Sequence, residues 1–109
     1  MKQQQETGQF LPLSAAALHI LLALAGDELH GYGIMLEAAR QSCGKYKLGP
    51  GTLYGAITRL EERGWIRVVG ADERRRPYRL TAEGRRHLNE QLSSLERVVK
   101  TGLHRLKPI

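Results

Sequence analysis

The stretch Gly49-Pro50-Gly51-Thr52-Leu53-Tyr54-Gly55 places three glycines in seven residues and runs directly into AITRLEERGWI. A glycine-rich opening to a helix serves two chemistries. It can cradle a phosphate on backbone N–H groups, as nucleotide-binding loops do, or it can bring a helix close against DNA. The first needs a hydrophobic strand just before the glycines, a βαβ unit and an acidic residue about 20 positions on, or else a Gly-Lys-Ser/Thr signature. Here the glycines follow CGKYKL, their spacing differs, and no Gly-Lys-Ser/Thr is present. A phosphate loop is therefore set aside, while Gly49 shapes a turn under either reading.

The elements that would hold this stretch can be traced from Ser14 onward. Residues 1–13, Gln-rich and ending near Pro12, read as a flexible arm or a short helical extension. Ser14 can cap a helix built from Ala and Leu and stopped at Gly26, with Leu18, Leu21, Leu22 and Ala25 forming its buried face. After a polar connection at Asp27 and Glu28, HGYGIMLEAARQS predicts a second helix with Tyr32, Met35 and Ala39 on one side, ended by Cys43 and Gly44. Pro50 suits the first position of a third helix, whose Leu53, Ile57 and Leu60 recur at core spacing, and Gly64 closes it. WIRVV and YRLT predict a β-hairpin around the charged turn GADERRRP. Thr81 then caps a last helix, with Glu83 favourably placed in its first turn.

This order, mainly α with one small β-hairpin, is that of a winged helix-turn-helix over residues 14–80 followed by a C-terminal helix over 81–109. The third helix would enter the major groove by its N-terminal residues. Gly51 and Gly55 would permit close approach, and Thr52, Thr58 and Arg59 would share the outward side with them. Tyr54 lies at the border, and both contact with DNA and packing against the first helix stay open for it. Lys45 and Lys47 add a basic rim. At the hairpin tip Arg74, Arg75 and Arg76 would reach phosphates or the minor groove, the alternative being a solvated turn.

Bulk properties agree. The chain of 109 residues has room for one domain with a modest core, which favours pairing with a second copy. Its net charge of +6 and pI near 9.9 point to a polyanionic partner. No apolar run approaches a membrane span, the start MKQQQETGQF has no apolar signal core, and the single Cys43 cannot form an internal disulfide; a cytoplasmic location is expected. Along the last helix Leu88, Leu92, Leu95, Val99 and Leu106 form a heptad stripe interrupted at Gly102. The stripe has no evident partner inside so small a domain and predicts a homodimer, although such a helix can also fold back on its own core.

Other chemistry finds little support. His19, His30, His87 and His104 do not fall at metal-ligand spacing and only one cysteine could join them, so no metal or other cofactor is expected. Cys43 reads as a small buried hydrophobe, with an intersubunit or redox role as the alternative. No acid, base and nucleophile come together, so an enzyme is not expected.

HGYGI, GTLYGAITRLEERGWI and PYRLTAEGRRHL together resemble the PadR family of bacterial transcriptional regulators, in order, over roughly residues 14–100. The resemblance implies a homodimeric repressor reading a palindromic operator in double-stranded DNA, paired through its C-terminal helix. Gly55 stands where family members often carry Pro, and Trp65 where Leu is common. The single C-terminal helix is similar to the short branch of the family. Some short members bind flat hydrophobic effectors in an aromatic-lined dimer cavity, whereas this sequence has no aromatic residue after Tyr78; a small-molecule effector is left open. From the residues alone, a winged-helix module for protein contact or RNA is the competing reading.

Overall fold

The computed structural model describes residues 13–70 and 76–108. Residues 1–12 of the expected arm over 1–13, and the wing-tip residues Arg74 and Arg75, lie outside the described residues. Four helices, α1 (Ala15–Gly26), α2 (Gly31–Gln41), α3 (Pro50–Glu62) and α4 (Ala82–Arg105), and a hairpin of β1 (Ile66–Val68) and β2 (Tyr78–Leu80) make up the fold. It is mostly helical with one two-stranded antiparallel sheet.

The element boundaries follow local chemistry. The Ser14 hydroxyl accepts the Ala17 N–H at 3.1 Å, which satisfies one of the orphan donors at the start of α1. Thr81 does the same for α4, accepting from Gly84 N–H at 3.1 Å while its hydroxyl donates to the Gly64 carbonyl at 2.6 Å. Pro50 opens α3 behind the N-cap Gly49. Gly44, Gly64 and Gly70 take positive φ where the chain must turn.

α1 lies at the centre, packed by α2, α3, α4 and β2. Its deepest side chains are Ile20, Leu21 and Leu24, with Ala16 and Ala23 beside them. This corrects the expected face: of the four residues named for it only Leu21 is fully buried, while Leu18, Leu22 and Ala25 are half-buried at the rim. The helix is apolar on nearly every side, so spacing alone could not orient it. On α2 the core side is Gly31, Ile34 and Ala38. Met35 and Ala39 are half-buried and Tyr32 is exposed. Leu53, Ala56, Ile57 and Leu60 of α3 complete the centre with Ile66, Tyr78, Leu80 and Leu88.

Two connections were not legible in advance. Leu29 forms an antiparallel bridge with Tyr78, the Tyr78 N–H donating to the Leu29 carbonyl at 2.9 Å, so the α1–α2 link acts as a third short strand beside the hairpin. Burial pushes the Tyr78 hydroxyl above its ordinary pKa, Glu61 adding to the rise and Arg76 opposing it. The second is the seat of α4 on the hairpin. Thr81 N–H donates to the Trp65 carbonyl at 3.0 Å, and Gly84 packs so tightly that a Cβ there would overlap that carbonyl oxygen.

Leu88 corrects the stripe on α4. It is 4% exposed and belongs to the core of its own protomer, so it does have a partner within the domain. Beyond it the helix leaves the core, and Leu92, Val98, Val99, Leu103 and Leu106 are exposed. Leu103, one turn on from Val99, and Val98 were missing from the expected stripe. Cys43 also departs from expectation: it is exposed, with φ 54° in the turn after α2.

Candidate nucleic-acid interface

α3 divides into two faces because its apolar residues recur with helical period. Leu53, Ala56, Ile57 and Leu60 point inward; Gly51, Thr52, Thr58 and Arg59 are exposed, Gly55 is half-buried and Tyr54 is 51% exposed. The two glycines serve no internal packing need. A Cβ on Gly51 would meet nothing within 4 Å, and one on Gly55 would make only ordinary contact with Arg59 at 3.6 Å. The outer surface of the helix is thus low and open to close approach by a flat or grooved partner.

Each polar side chain on that face offers a definite chemistry. The Thr58 hydroxyl donates to the Tyr54 carbonyl at 2.9 Å, which leaves its oxygen as an acceptor and its methyl as an apolar contact. Thr52, in the first turn, is exposed. Tyr54 packs its phenol over Gly31 at the start of α2, where a Cβ would come within 2.5 Å of the hydroxyl. The packing alternative for Tyr54 therefore holds in a different form, against α2 rather than the first helix, and half the side chain still faces outward.

The connector before α3 positions the lysines by alternation. Tyr46 is half-buried and stacks on His19 with ring centroids 4.6 Å apart, and Leu48 is buried, so the intervening Lys45 and Lys47 turn outward. The Tyr46 N–H is held by the Ser42 hydroxyl at 2.8 Å, which fixes this arrangement. Among the described residues the ion pairs are Arg40–Glu37 on α2, Arg79–Glu28, and those of Arg86, His87 and Lys100 on α4; none engages Lys45, Lys47 or Arg59.

In the hairpin the register sets Arg67 opposite Arg79. Arg79 is not available as a free wing cation, since its Nε donates to Glu28 Oε2 at 2.7 Å. A partner 51 residues away gives no local signal in the sequence. Arg67 and Arg76 are exposed. Also missed were Tyr32 and Leu36, exposed at 67% and 55% one turn apart on α2. Their i, i+4 spacing, offset from Ile34 and Ala38, was the available clue.

Among the described residues no group of His, Cys, Asp or Glu side chains is placed to hold a metal ion, and no helix is long and apolar enough to cross a membrane. Two successive helices, the second with an open polar face, and a basic hairpin behind them define a winged helix-turn-helix. The description "Transcriptional regulator PadR-like family" matches residues 20–90. The chain belongs to this PadR-like family of transcriptional regulators, and its relatives there are regulators rather than enzymes. It is 38% identical over 91 residues to Transcriptional regulator Rv3488 of Mycobacterium tuberculosis, covering 80% of this chain and 81% of that protein. It is 41% identical over 83 residues to an uncharacterised 37.1 kDa protein in transposon TN4556 of Streptomyces fradiae, where 76% of this chain matches only 24% of the longer protein. Its fold is similar to that of a transcriptional regulator from Clostridium thermocellum, with a TM-score of 0.72 and 29% identity over 84% of this chain and 90% of the other.

Proposed function

We propose that the protein is a cytoplasmic, homodimeric repressor that reads a palindromic operator in double-stranded DNA. Residues 14–80 form the reading unit and the helix within 81–109 pairs the subunits. Thr52, Tyr54, Thr58 and Arg59 face the bases with Gly51 and Gly55 between them, while Lys45, Lys47 and the wing residues Arg74, Arg75 and Arg76 hold phosphates or the adjacent minor groove. The observation that carries this reading is the outward face of α3, where Thr52, Thr58 and Arg59 are exposed and the two glycines answer no packing need in the protomer. Pairing rests on the stripe of α4 beyond the core, where Leu92, Val99 and Leu106 are exposed and Leu95 is half-buried. No effector is assigned.

The test is selection of binding sites from randomised duplex. The expected result is a two-fold symmetric consensus, with half-site centres separated by about one helical turn or a multiple of it. Thr52→Ala and Thr58→Ala are each expected to relax preference at one position per half-site, by roughly tenfold or more against the wrong base. Lys45→Ala with Lys47→Ala should instead weaken all duplexes alike and flatten the log–log salt dependence by about 0.9 for each phosphate no longer neutralised. No enriched sequence, or equal losses on every duplex for all four substitutions, would favour a basic module for protein or RNA contact.

A further inference from the structure

We propose that Gly31 is a positioning residue for duplex recognition: the gap left by its missing side chain seats the Tyr54 phenol, so that Tyr54 meets DNA in one orientation. The consequence for DNA rests on the function proposed above; the seat itself does not. Gly31 is the first residue of α2 and is buried. Glycine is a poor helix former, and it is most often called for by a backbone conformation that other residues avoid. That reason is absent here, because among the described residues the glycines with positive φ are Gly44, Gly64 and Gly70. Close approach of a neighbour is what remains.

A Cβ on Gly31 would lie 2.5 Å from the Tyr54 hydroxyl, 3.0 Å from its Cζ and 3.1 Å from its Cε1. The three nearest atoms thus belong to one side chain, and the ring of Tyr54 is what fills the gap. Gly33, two residues on, shows the contrast: a Cβ there would meet Leu29 at 3.4 Å, an ordinary contact. The phenol is held at its hydroxyl end while about half of Tyr54 stays exposed. A half-exposed tyrosine on a helix surface otherwise samples more than one staggered position. The seat removes that choice before DNA arrives, and a contact group fixed beforehand loses less freedom on binding.

The seat joins the two helices of the reading unit, from Gly31 at the start of α2 to Tyr54 on α3. Alanine at position 31 would need ordinary contact with the phenol, so the hydroxyl would have to move by about 1 Å. A recognition group must be held within about 0.5 Å of its working position, so a shift of this size is felt by the partner. Room to give way lies on the outward side of α3, where a Cβ on Gly51, one turn earlier, meets nothing within 4 Å. That is the side a groove approaches. Because the displaced atom is the free end of a half-exposed side chain, the fold adapts and the change falls chiefly on binding.

The first experiment is a thermal-unfolding cycle on the full-length protein without DNA. Gly31→Ala is expected to raise the melting temperature in the Tyr54→Ala background, where the seat is empty and alanine is the better helix former, and to leave it unchanged or lower with Tyr54 in place. The same rise in both backgrounds would overturn the seat. The second measures affinity for the selected consensus duplex and for random duplex. Gly31→Ala should weaken binding to the consensus by about three- to tenfold and to random duplex much less. Gly33→Ala should change neither, and Gly31→Ala with Tyr54→Ala should bind no worse than Tyr54→Ala alone. Tyr54→Phe removes the atom nearest the gap, so Gly31→Ala should weaken binding less in that background. An undiminished loss in the Tyr54→Ala background, or unchanged affinity in Gly31→Ala, would refute the positioning role while leaving the seat intact. A protein with no preference for any duplex sequence would fail the proposed function instead, with the thermal cycle still standing.

Discussion

Val99→Asp combined with Leu103→Asp is expected to convert the protein to monomers and to lower its affinity for a two-half-site operator by about a hundredfold or more. Both side chains are more than half exposed in the protomer, so the fold has no stake in them and should remain intact. In a paired α4 each would be buried, and removing a buried Val or Leu forfeits roughly 1.5–3 kcal/mol before the cost of seating a charge there is added. Sedimentation analysis would show the change in mass, and circular dichroism the retained helix content. Affinity for a single half-site should change little, because the loss comes from uncoupling two readers. A double variant that stays dimeric would place the interface elsewhere.

The second large effect concerns Gly84, which no DNA or partner need touch. Gly84→Ala is expected to destabilise the protomer by about 1–3 kcal/mol, because the new methyl would overlap the Trp65 carbonyl and crowd the Leu80 side chain. The helix should separate from the root of the wing as it makes room. Gly102→Ala is the control on the same helix. Nothing lies within 4 Å of a Cβ there, so the better helix former should raise the melting temperature, by an amount corresponding to about 0.8–1 kcal/mol. Thermal unfolding of both variants checks the pair; equal effects would mean that the contact at Gly84 is not tight.

How much of this was legible in the sequence depends on how local the cause is. Ser14, Pro50, Gly64 and Thr81 act on backbone groups within a few residues, and the helices begin and end where those residues stand. The outward face of α3 was legible because its apolar and polar residues separate cleanly at helical period. The face of α1 was not, since a helix apolar on most sides is oriented by its neighbours. The Glu28–Arg79 pair, the Leu29–Tyr78 bridge and the burial of Leu88 are tertiary consequences, set by elements distant in the chain. Trp65 read only as a replacement for a commoner Leu; its stacking on His87 required the helix to be seated first.

The central claim is that the face of α3 reads sequence in a paired protein. Its most direct test is a fluorescence anisotropy titration of the purified protein into duplex from upstream of its own gene, with random duplex as competitor, at two salt concentrations. The expected result is binding that survives excess competitor, saturates at two protomers per site and weakens smoothly with salt. If the selected consensus duplex is used in the same titration and competitor still displaces it as readily as it displaces random sequence, the claim of sequence reading is contradicted.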